Sequence, residues 1–223
     1  MEKLVAIVLM AGLSTRFGSG KNKQLTLLHG KPVFSYSIET FVNEKHISEI
    51  VITINKDNEN EIAEYIKSHK INAKLVYGGA TRQESVENAL KVLDLDENDI
   101  VIIHDGARPL VNNKVIEEVS NAANEFGAAT AYLEVTDTIA MKNERDEISS
   151  FIDRTILAQI QTPQAFKYGL LKEAHKKAND EFATDDCTLI ARLGHKVKLV
   201  KGDKLFHKVT TKEDILYLEG LLK

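Results

Sequence analysis

The 223-residue sequence has little cysteine and no long apolar run. Its one cysteine, Cys187, excludes an internal disulfide framework. No apolar stretch approaches the roughly 20 residues of a membrane-spanning helix, and the first one, Leu4–Met10, leads into Ala-Gly-Leu-Ser-Thr-Arg rather than into a signal-peptide cleavage site. We therefore expect a cytoplasmic protein with no membrane partner.

Acidic residues are missing between Lys3 and Ile38, a segment that contains five basic residues. Its charge is therefore +5, whereas the other 24 basic and 33 acidic residues give the remainder −9. Solvated faces normally mix both signs, so this segment predicts an anion-binding site. The net charge of −4 argues against a nucleic-acid partner, because nucleic-acid-binding domains are usually basic.

Short apolar runs alternate with segments whose apolar residues recur every three or four positions, which is typical of strands alternating with amphipathic helices. Runs such as Ile100–Ile103 are apolar on both faces, as in a parallel sheet covered by helices. We predict a single α/β domain over residues 1–223, with a mainly parallel sheet and ligands at the carboxyl ends of its strands. The predicted strands are Leu4–Met10, Ile50–Ile54, Ala73–Tyr77, Ile100–His104, Ala128–Val135 and Val197–Val200. The predicted helices are Val33–Asn43, Glu59–Ser68, Thr81–Leu93, Asn113–Phe126, Tyr168–Lys177, Asp185–Leu193 and Lys212–Leu222.

One segment departs from this alternation and predicts an inserted β-hairpin. Thr138–Lys142 and Glu147–Ile152 flank a polar turn after the fifth strand. A two-stranded arm is marginally stable alone. It is therefore either a surface decoration or an arm, at about residues 136–155, that packs on a second copy of the chain.

The first predicted strand ends in a loop rich in glycine and basic residues, Ala11–Lys23. Small residues let backbone N–H groups approach phosphate oxygens, and Arg16 and Lys23 can offset phosphate charge. The loop is not a P-loop, because Thr15 and Asn22 stand where that pattern requires glycine and a hydroxyl residue, and it lacks the closely spaced glycines of a dinucleotide fingerprint. It predicts a phosphate-binding loop of another type.

The third predicted strand is followed by Gly78–Val86. Its paired glycines permit close approach to a flat ring, which suits a nucleoside base. Thr81 and Glu84 have the spacing of a helix capping box, so a plain structural turn is an equal alternative. Capping leaves Arg82 and Ser85 unexplained, and both are candidates for the site.

The fourth predicted strand is followed by His104–Pro109. A carboxylate at the carboxyl end of a strand, facing a phosphate loop, is well placed to hold Mg²⁺, and Asp105 is the candidate. It is too far from the helix that begins near Asn112 to act as its cap. His104 is expected to pack rather than bind metal, because the histidines lack zinc-site spacing.

Later segments supply two more cations and a turn. Arg154 lies in Asp153–Thr155, and Lys208 stands just ahead of the last helix. Gln161–Phe166 is predicted to turn at Pro163 before the next helix. Alone, either cation is more typical of a surface ion pair.

In order, these segments resemble the 2-C-methyl-D-erythritol 4-phosphate cytidylyltransferases of non-mevalonate isoprenoid synthesis. The matching segments are Met10–Gly18, Asn22–Gln24, Gly78–Val86, His104–Pro109, Ala158–Phe166 and Thr184–Asp186. Asn22 replaces a family proline and Ser14 a family glycine, so we expect the order of the first loop to be affected. Phe206 and His207 also depart from the family pattern before Lys208.

The resemblance implies a Rossmann-like fold of the nucleotide-diphospho-sugar transferase type and a homodimer whose arms cross to the neighbouring subunit. It also implies that the phosphorylated alcohol attacks the α-phosphorus of CTP, with Mg²⁺ present, and expels pyrophosphate. The catalytic residues it implies are Arg16, Lys23, Arg154 and Lys208. The nucleotide-binding residues are Ala11, Gly12, Gly79, Arg82 and Ser85. The substrate-binding residues are Asp105, Arg108, Thr138 and Thr162, with Asp105 also the metal ligand.

Two other functions stay open. Ribitol-5-phosphate cytidylyltransferase shares the scaffold and the first loop, although Asp153–Thr155 followed by Leu157 and Ala158 is more similar to the methylerythritol enzymes. A non-catalytic nucleotide-binding regulator would be expected to have lost some of the four charged groups at positions 16, 23, 105 and 208. All four are present.

Overall fold

The computed structural model describes residues 2–12, 17, 22–178 and 183–222. The strands are β1 (Leu4–Leu9), β2 (Leu27–Leu28), β3 (Lys31–Pro32), β4 (Ile47–Ile54), β5 (Lys74–Tyr77), β6 (Ile100–Asp105), β7 (Ala128–Glu134), β8 (Ile139–Lys142), β9 (Ile148–Ile152), β10 (Ala158–Lys167) and β11 (Lys198–Lys201). The helices are α1 (Val33–Val42), α2 (Glu59–Ser68), α3 (Arg82–Leu90), α4 (Asn113–Phe126), α5 (Tyr168–Lys177), α6 (Asp186–Arg192) and α7 (Lys212–Leu221).

Seven strands form one sheet in the order β11-β7-β10-β6-β1-β4-β5. Every pairing is parallel except those that β10 makes with β6 and β7. The predicted Rossmann-like, mainly parallel α/β fold is confirmed. The chain runs outward from β1 through β4 to β5 and then returns to add β6 on the other side of β1, so the crevice between the ends of β1 and β6 is the place where such sheets bind ligands.

The prediction of a turn at Gln161–Phe166 is wrong, because this segment belongs to the ten-residue strand β10. Proline lacks an N–H donor and is normally excluded from central strands. Here the pairing with β7 is irregular between Ile160 and Gln164, so Pro163 lies where the ladder is interrupted. Beyond the irregularity the strand enters the core, and Phe166 is fully buried.

Helices cover both faces of the sheet, and β1 shows why its sequence is an unbroken apolar run. Ala6 and Val8 point into the core shared with α1, α2 and α4, whereas Val5 and Ile7 point into the core shared with α3, α5 and α6. All four side chains are fully buried. No helix within the described residues is both long and apolar enough to cross a membrane.

The predicted hairpin is confirmed as β8 and β9, which form a separate two-stranded sheet. Asp146 adopts a positive φ of 58° in its turn. The hairpin presents apolar side chains to solvent, since Ile148 is 64% and Phe151 67% exposed.

The end of α4 allows a test of the backbone conformation. Gly127 has a φ of +89° at this point, a region that costs a residue with a Cβ about 1–2 kcal/mol. We expect Gly127→Ala to lower the free energy of unfolding by about that amount in urea denaturation. The control is Gly220→Ala in α7, where an added Cβ meets no atom within 4 Å and should stabilise the helix by about 0.5–1 kcal/mol. Equal changes in the free energy of unfolding for the two substitutions would contradict the positive φ assigned to Gly127.

Candidate active site

A cavity of about 180 Å³ lies in the crevice at the carboxyl ends of β1 and β6. Leu9 and Asp105, the last residues of these strands, are paired neighbours in the sheet. The cavity is lined by most of the residues that the sequence singled out: Ala11, Gly12, Lys23, Gly79, Arg82, Ser85, Asp105 and Lys208. Segments distant in the chain therefore meet at the predicted place.

Asp105 lies among three cations. Its Oδ2 accepts a hydrogen bond from Lys208 Nζ at 2.6 Å and lies 3.9 Å from Arg108 Nε, and its Oδ1 lies 3.4 Å from Arg82 Nε. Burial alone would raise the pKa of Asp105, but the charges of Lys208, Arg82 and Arg108 outweigh burial and hold this pKa far below its usual range. The carboxylate is therefore ionised at neutral pH.

Two backbone-directed hydrogen bonds hold the loop that carries Lys208. Val209 N donates to Ala107 O at 2.8 Å, and Arg108 Nη1 donates to Phe206 O at 2.7 Å. These contacts lie on either side of Lys208 in the chain. They tie its loop to the loop after β6, which brings its ammonium group to Asp105.

The departures from the family pattern before Lys208 have structural roles. Phe206 is 1% exposed and packs in the core. His207 Nε2 lies 2.7 Å from Asp214 Oδ1, and the other oxygen of Asp214 accepts from the backbone N–H of Thr211 at 2.8 Å, in the capping box that begins α7. These two residues therefore anchor the loop.

Buried amides hold the two ends of the first loop together. Asn58 Nδ2 donates to Met10 O at 2.7 Å and to Gln24 Oε1 at 3.0 Å, and Asn58 is fully buried. Asn55 Nδ2 donates to Ala11 O at 2.9 Å. Sequence reasoning missed both asparagines, because an asparagine before a helix is typical of an ordinary cap.

Asn22, which replaces the family proline, forms a side-chain-stabilised turn. Its Oδ1 accepts from Gln24 N at 3.0 Å, and its carbonyl accepts from Leu25 N at 3.1 Å. Such a turn orders the backbone around Lys23 by hydrogen bonds instead of by a proline ring. Ser14 and Arg16 lie outside the described residues, so the expected catalytic role of Arg16 stays a prediction.

The paired glycines allow a close approach between two loops. A Cβ on Gly78 would lie 2.3 Å from Ala11 Cβ, and one on Gly79 would lie 2.2 Å from Glu84 Cβ. Ser85 Oγ accepts from Gly79 N at 3.1 Å and holds the loop against α3. The segment is therefore a tight turn that also lines the cavity, and its expected role in binding a nucleoside base stays a prediction.

One of the two hydrogen bonds of the predicted capping box at the start of α3 is confirmed. Thr81 Oγ1 accepts from Glu84 N at 3.1 Å, as in a capping box. Glu84 Oε2 accepts from Ala80 N at 2.7 Å, one residue before the position of the standard motif. Capping at this helix end does not use Arg82, and its guanidinium bonds Asp186 as well as Asp105.

His104 supports the loop behind Asp105 and is not placed as a metal ligand. Its Nε2 donates to Arg108 O at 3.1 Å, and its Nδ1 lies 3.1 Å from Thr162 Oγ1. The same hydroxyl oxygen accepts from Asp105 N at 3.0 Å. Burial lowers the pKa of His104 to about 4, so the ring is neutral at neutral pH.

Arg154 and Thr138 do not line the cavity around Asp105. Arg154 follows the hairpin, bonds Thr136 O through its Nη1, and lines a separate cavity of about 550 Å³. Thr138 immediately precedes β8. Within one chain, these two predicted residues lie with the arm rather than with the other candidates.

A larger cavity, of about 700 Å³, lies between α3 and α5. None of the predicted site residues that the structure describes lines it, and its charged groups are of both signs. We place the candidate site in the smaller cavity because Gly12, Lys23 and the cluster of cations around Asp105 are there.

The donor groups in this cavity limit the kind of metal that could bind. Among the described residues lining it, Asp105 is the one carboxylate, and no group of three or more metal-binding side chains occurs in the described parts of the chain. A metal held in a protein cage does not fit. Mg²⁺ does, since it is commonly held by one or two carboxylates together with substrate phosphates and water.

The fold and the site together define a Rossmann-like α/β protein with a cluster of cations around a carboxylate at the carboxyl ends of its central strands. A family model described as 2-C-methyl-D-erythritol 4-phosphate cytidylyltransferase matches residues 4–223. Curated relatives of that name include those from Dictyoglomus thermophilum, 42% identical over all of this chain and 97% of the relative, and Clostridium tetani, 38% identical over all of this chain and 92% of the relative. The chain belongs to the 2-C-methyl-D-erythritol 4-phosphate cytidylyltransferase family.

Solved structures agree with this assignment. The 4-diphosphocytidyl-2C-methyl-D-erythritol synthase of Anaerococcus prevotii superposes with a TM-score of 0.88 at 29% identity, covering 99% of this chain and 96% of that one. The 2-C-methyl-D-erythritol 4-phosphate cytidylyltransferase of Thermus thermophilus gives a TM-score of 0.79 at 28% identity, covering 100% of this chain and 99% of that one.

The buried His104 predicts a pH dependence of stability. Its pKa is about 4 in the folded protein and about 6.5 when unfolded. Between these values the unfolded state binds more protons, so this contribution to stability is complete above about pH 6.5 and is lost as the pH falls toward 4, by ~3 kcal/mol. The free energy of unfolding of wild type minus that of His104→Gln should fall accordingly between about pH 7.5 and 4 in urea denaturation. A difference that stays constant with pH would show that His104 is not buried in the neutral form.

Proposed function

We propose that this chain transfers CMP from CTP to 2-C-methyl-D-erythritol 4-phosphate and releases pyrophosphate. The observation that carries the proposal is the excess of positive charge around Asp105. Lys208, Arg82 and Arg108 face two carboxylates, Asp105 and Asp186, so this cluster has one more cation than anions. Lys23 lines the same cavity and contributes a further positive charge. An excess of this sign in a partly buried cluster suits a polyanion such as a triphosphate.

In the proposed reaction, a phosphate oxygen of the alcohol substrate attacks the α-phosphorus of CTP. The bond from that phosphorus to the bridging oxygen breaks, and the pyrophosphate leaves with the electron pair. The attacking phosphate is already anionic, so no protein nucleophile is needed. Lys23, together with Arg16, would stabilise the charge that develops on the α-phosphate, a task for preorganised cations.

We assign the two substrates to different parts of the cavity wall. Ala11, Gly12, Gly79 and Ser85 line one side, where small residues and exposed backbone suit a flat cytosine ring. Lys208 lines the other side beside Asp105, where Arg108 bonds the loop of Lys208 and Thr162 accepts from the backbone N–H of Asp105. We assign this second side to the phosphorylated alcohol.

Mg²⁺ is part of the proposal. Asp105 would be its ligand from the protein, and Oδ1 is the less engaged oxygen, since its contact within the described residues is the 3.4 Å one with Arg82. When bound, the ion would neutralise charge on the triphosphate and on the departing pyrophosphate.

We also propose that the chain acts as a homodimer. The hairpin exposes Ile148 and Phe151, Ile156 beyond it is 78% exposed, and Arg154 lies away from its expected partners. Packing the hairpin against a second copy would bury these apolar side chains. It would also let Arg154 and Thr138 of one chain complete the site of the other, as the assigned roles require.

The choice of acceptor rests on the relatives. Those named above carry the methylerythritol phosphate name at 38% and 42% identity over this whole chain. This favours methylerythritol phosphate over ribitol phosphate. A non-catalytic regulator is disfavoured because Lys23, Asp105 and Lys208 converge on one cavity.

Pyrophosphate release tests the proposed reaction. With Mg²⁺, we expect release from CTP and methylerythritol phosphate at a rate well above that of any other pairing of CTP, UTP, ATP or GTP with methylerythritol or ribitol phosphate. If pyrophosphate is released with ribitol phosphate but not with methylerythritol phosphate, the chain is a ribitol-5-phosphate cytidylyltransferase instead. No release from any pairing would reject the transferase.

Lys23→Ala tests the role of the first loop. Removing one preorganised donor from a developing negative charge should lower kcat by roughly 100-fold or more, with little change in the thermal midpoint. The matched control is Lys196→Ala, which removes an exposed lysine that does not line the cavity. Near-normal turnover of Lys23→Ala would contradict the assigned role.

Mixing two inactive variants tests the crossed arm. Arg154→Ala and Lys208→Ala should each be inactive alone. If Arg154 serves the neighbouring subunit, half of the dimers in an exchanged equimolar mixture are mixed and each has one intact site, so about a quarter of wild-type activity should return. No recovery, with mixed dimers verified by differential tagging, would place Arg154 in the site of its own chain.

A further inference from the structure

A chain of hydrogen bonds extends from the candidate site into the interior on the side of α5 and α6. Arg82 Nη1 lies 2.5 Å from Asp186 Oδ2, and Asp186 Oδ1 accepts from His175 Nε2 at 2.9 Å. The side chains of Asp186 and His175 are 1% and 4% exposed. Three helices, α3, α6 and α5, each contribute one of these residues.

The carboxylate of Asp186 does not cap its own helix, α6. The N-cap is Asp185, whose Oδ1 accepts from both the backbone N–H and the hydroxyl of Thr188 at 2.9 Å. Asp186 turns inward instead. Burial alone would raise its pKa, but the charge of Arg82 and the hydrogen bond from His175 hold this pKa below its usual value, so it stays an anion.

Arg82 is held from two directions. Asp186 binds Nη1 and Asp105 lies near Nε, so the plane of the guanidinium is set between two carboxylates. Its Nη2 is buried and has no hydrogen-bond partner among the described residues. Arg82 also lines the cavity assigned to the nucleotide. The two N–H groups of Nη2 are therefore unpaired among the described residues, in a side chain that lines this cavity.

We infer that Asp186 and His175 are positioning residues that orient Arg82 toward the bound nucleotide. His175 fixes the carboxylate of Asp186 with one hydrogen bond, and Asp186 fixes the guanidinium with another. Without them, Asp105, which already lies 3.4 Å from Arg82 Nε, would alone hold the guanidinium among the described carboxylates, and Arg82 could turn further toward this carboxylate assigned to the metal and the acceptor. This inference rests on the proposed function for its assignment of the ligand to CTP.

Neighbouring aspartates provide the first test. Asp186→Asn removes the charge that holds Arg82 and should raise KM for CTP roughly 10- to 100-fold, with kcat and KM for methylerythritol phosphate changed much less. Asp185→Asn is the matched control, because it makes the same change of charge at the next residue while its Oδ1 can still cap α6, and it should leave KM for CTP and the thermal midpoint nearly unchanged. A lower midpoint of Asp186→Asn with an unchanged KM for CTP would assign Asp186 a structural role only.

Substitutions of His175 provide the second test. His175→Leu removes the donor to Asp186 and should raise KM for CTP about threefold to tenfold. His175→Gln keeps a donor near the position of Nε2 and should restore KM to within about twofold of wild type. Failure of the glutamine to rescue KM, at equal thermal stability of the two variants, would overturn the role of the hydrogen bond.

Calorimetric binding of CTP separates this inference from the proposed function. If the wild-type protein binds CTP but transfers nothing, the proposed reaction fails, and weaker CTP binding by Asp186→Asn than by Asp185→Asn still supports the positioning role. If the wild-type protein transfers CMP and both aspartate variants bind CTP as tightly as it does, the proposed reaction stands and the positioning role is wrong.

Discussion

The buried carboxylate of Asp105, at the end of β6, links three segments of the site through its ion pairs. Asp105 is 8% exposed, and an unpaired charge there would cost several kcal/mol. Its partners come from the start of α3, the loop after β6 and the loop before α7, the last of them 103 residues away. Attraction between this carboxylate and the three cations holds these loops together beside Gly12 and Lys23. With Asp186 included, the cluster has one more cation than anions, and the proposed binding of a polyanion depends on this excess.

Polar side chains behind the cavity hold the loops that carry the charged groups. Asn58 links the two ends of the first loop, His104 and Thr162 support the backbone of Asp105, and Asp186 holds Arg82. None of these contacts needs a substrate to form. Asp105 and Arg82 are therefore held in place without a substrate, and such preorganisation is the condition under which electrostatic stabilisation of a transition state is most effective.

Features that depend on neighbouring residues could be predicted from the sequence. The run Leu4–Leu9 is buried on both faces, and Lys23, from the segment without acidic residues, lines the same cavity as Asp105 and Lys208. Asn58 and His175 could not be predicted, because their partners lie 34 and 11 residues away in the chain and their own surroundings resemble a helix cap and a helix face. The strand β10 was missed because Pro163 argues against a strand, and only the irregular pairing with β7 accommodates it.

Isotope transfer tests the central claim most directly. The protein is incubated with methylerythritol phosphate, Mg²⁺ and CTP labelled either at the α-phosphorus or at the γ-phosphorus. Our account predicts that the α label appears in the nucleotide-linked alcohol product and the γ label in pyrophosphate. Recovery of the γ label in the alcohol product would show phosphoryl transfer instead of cytidylyl transfer and would contradict the account.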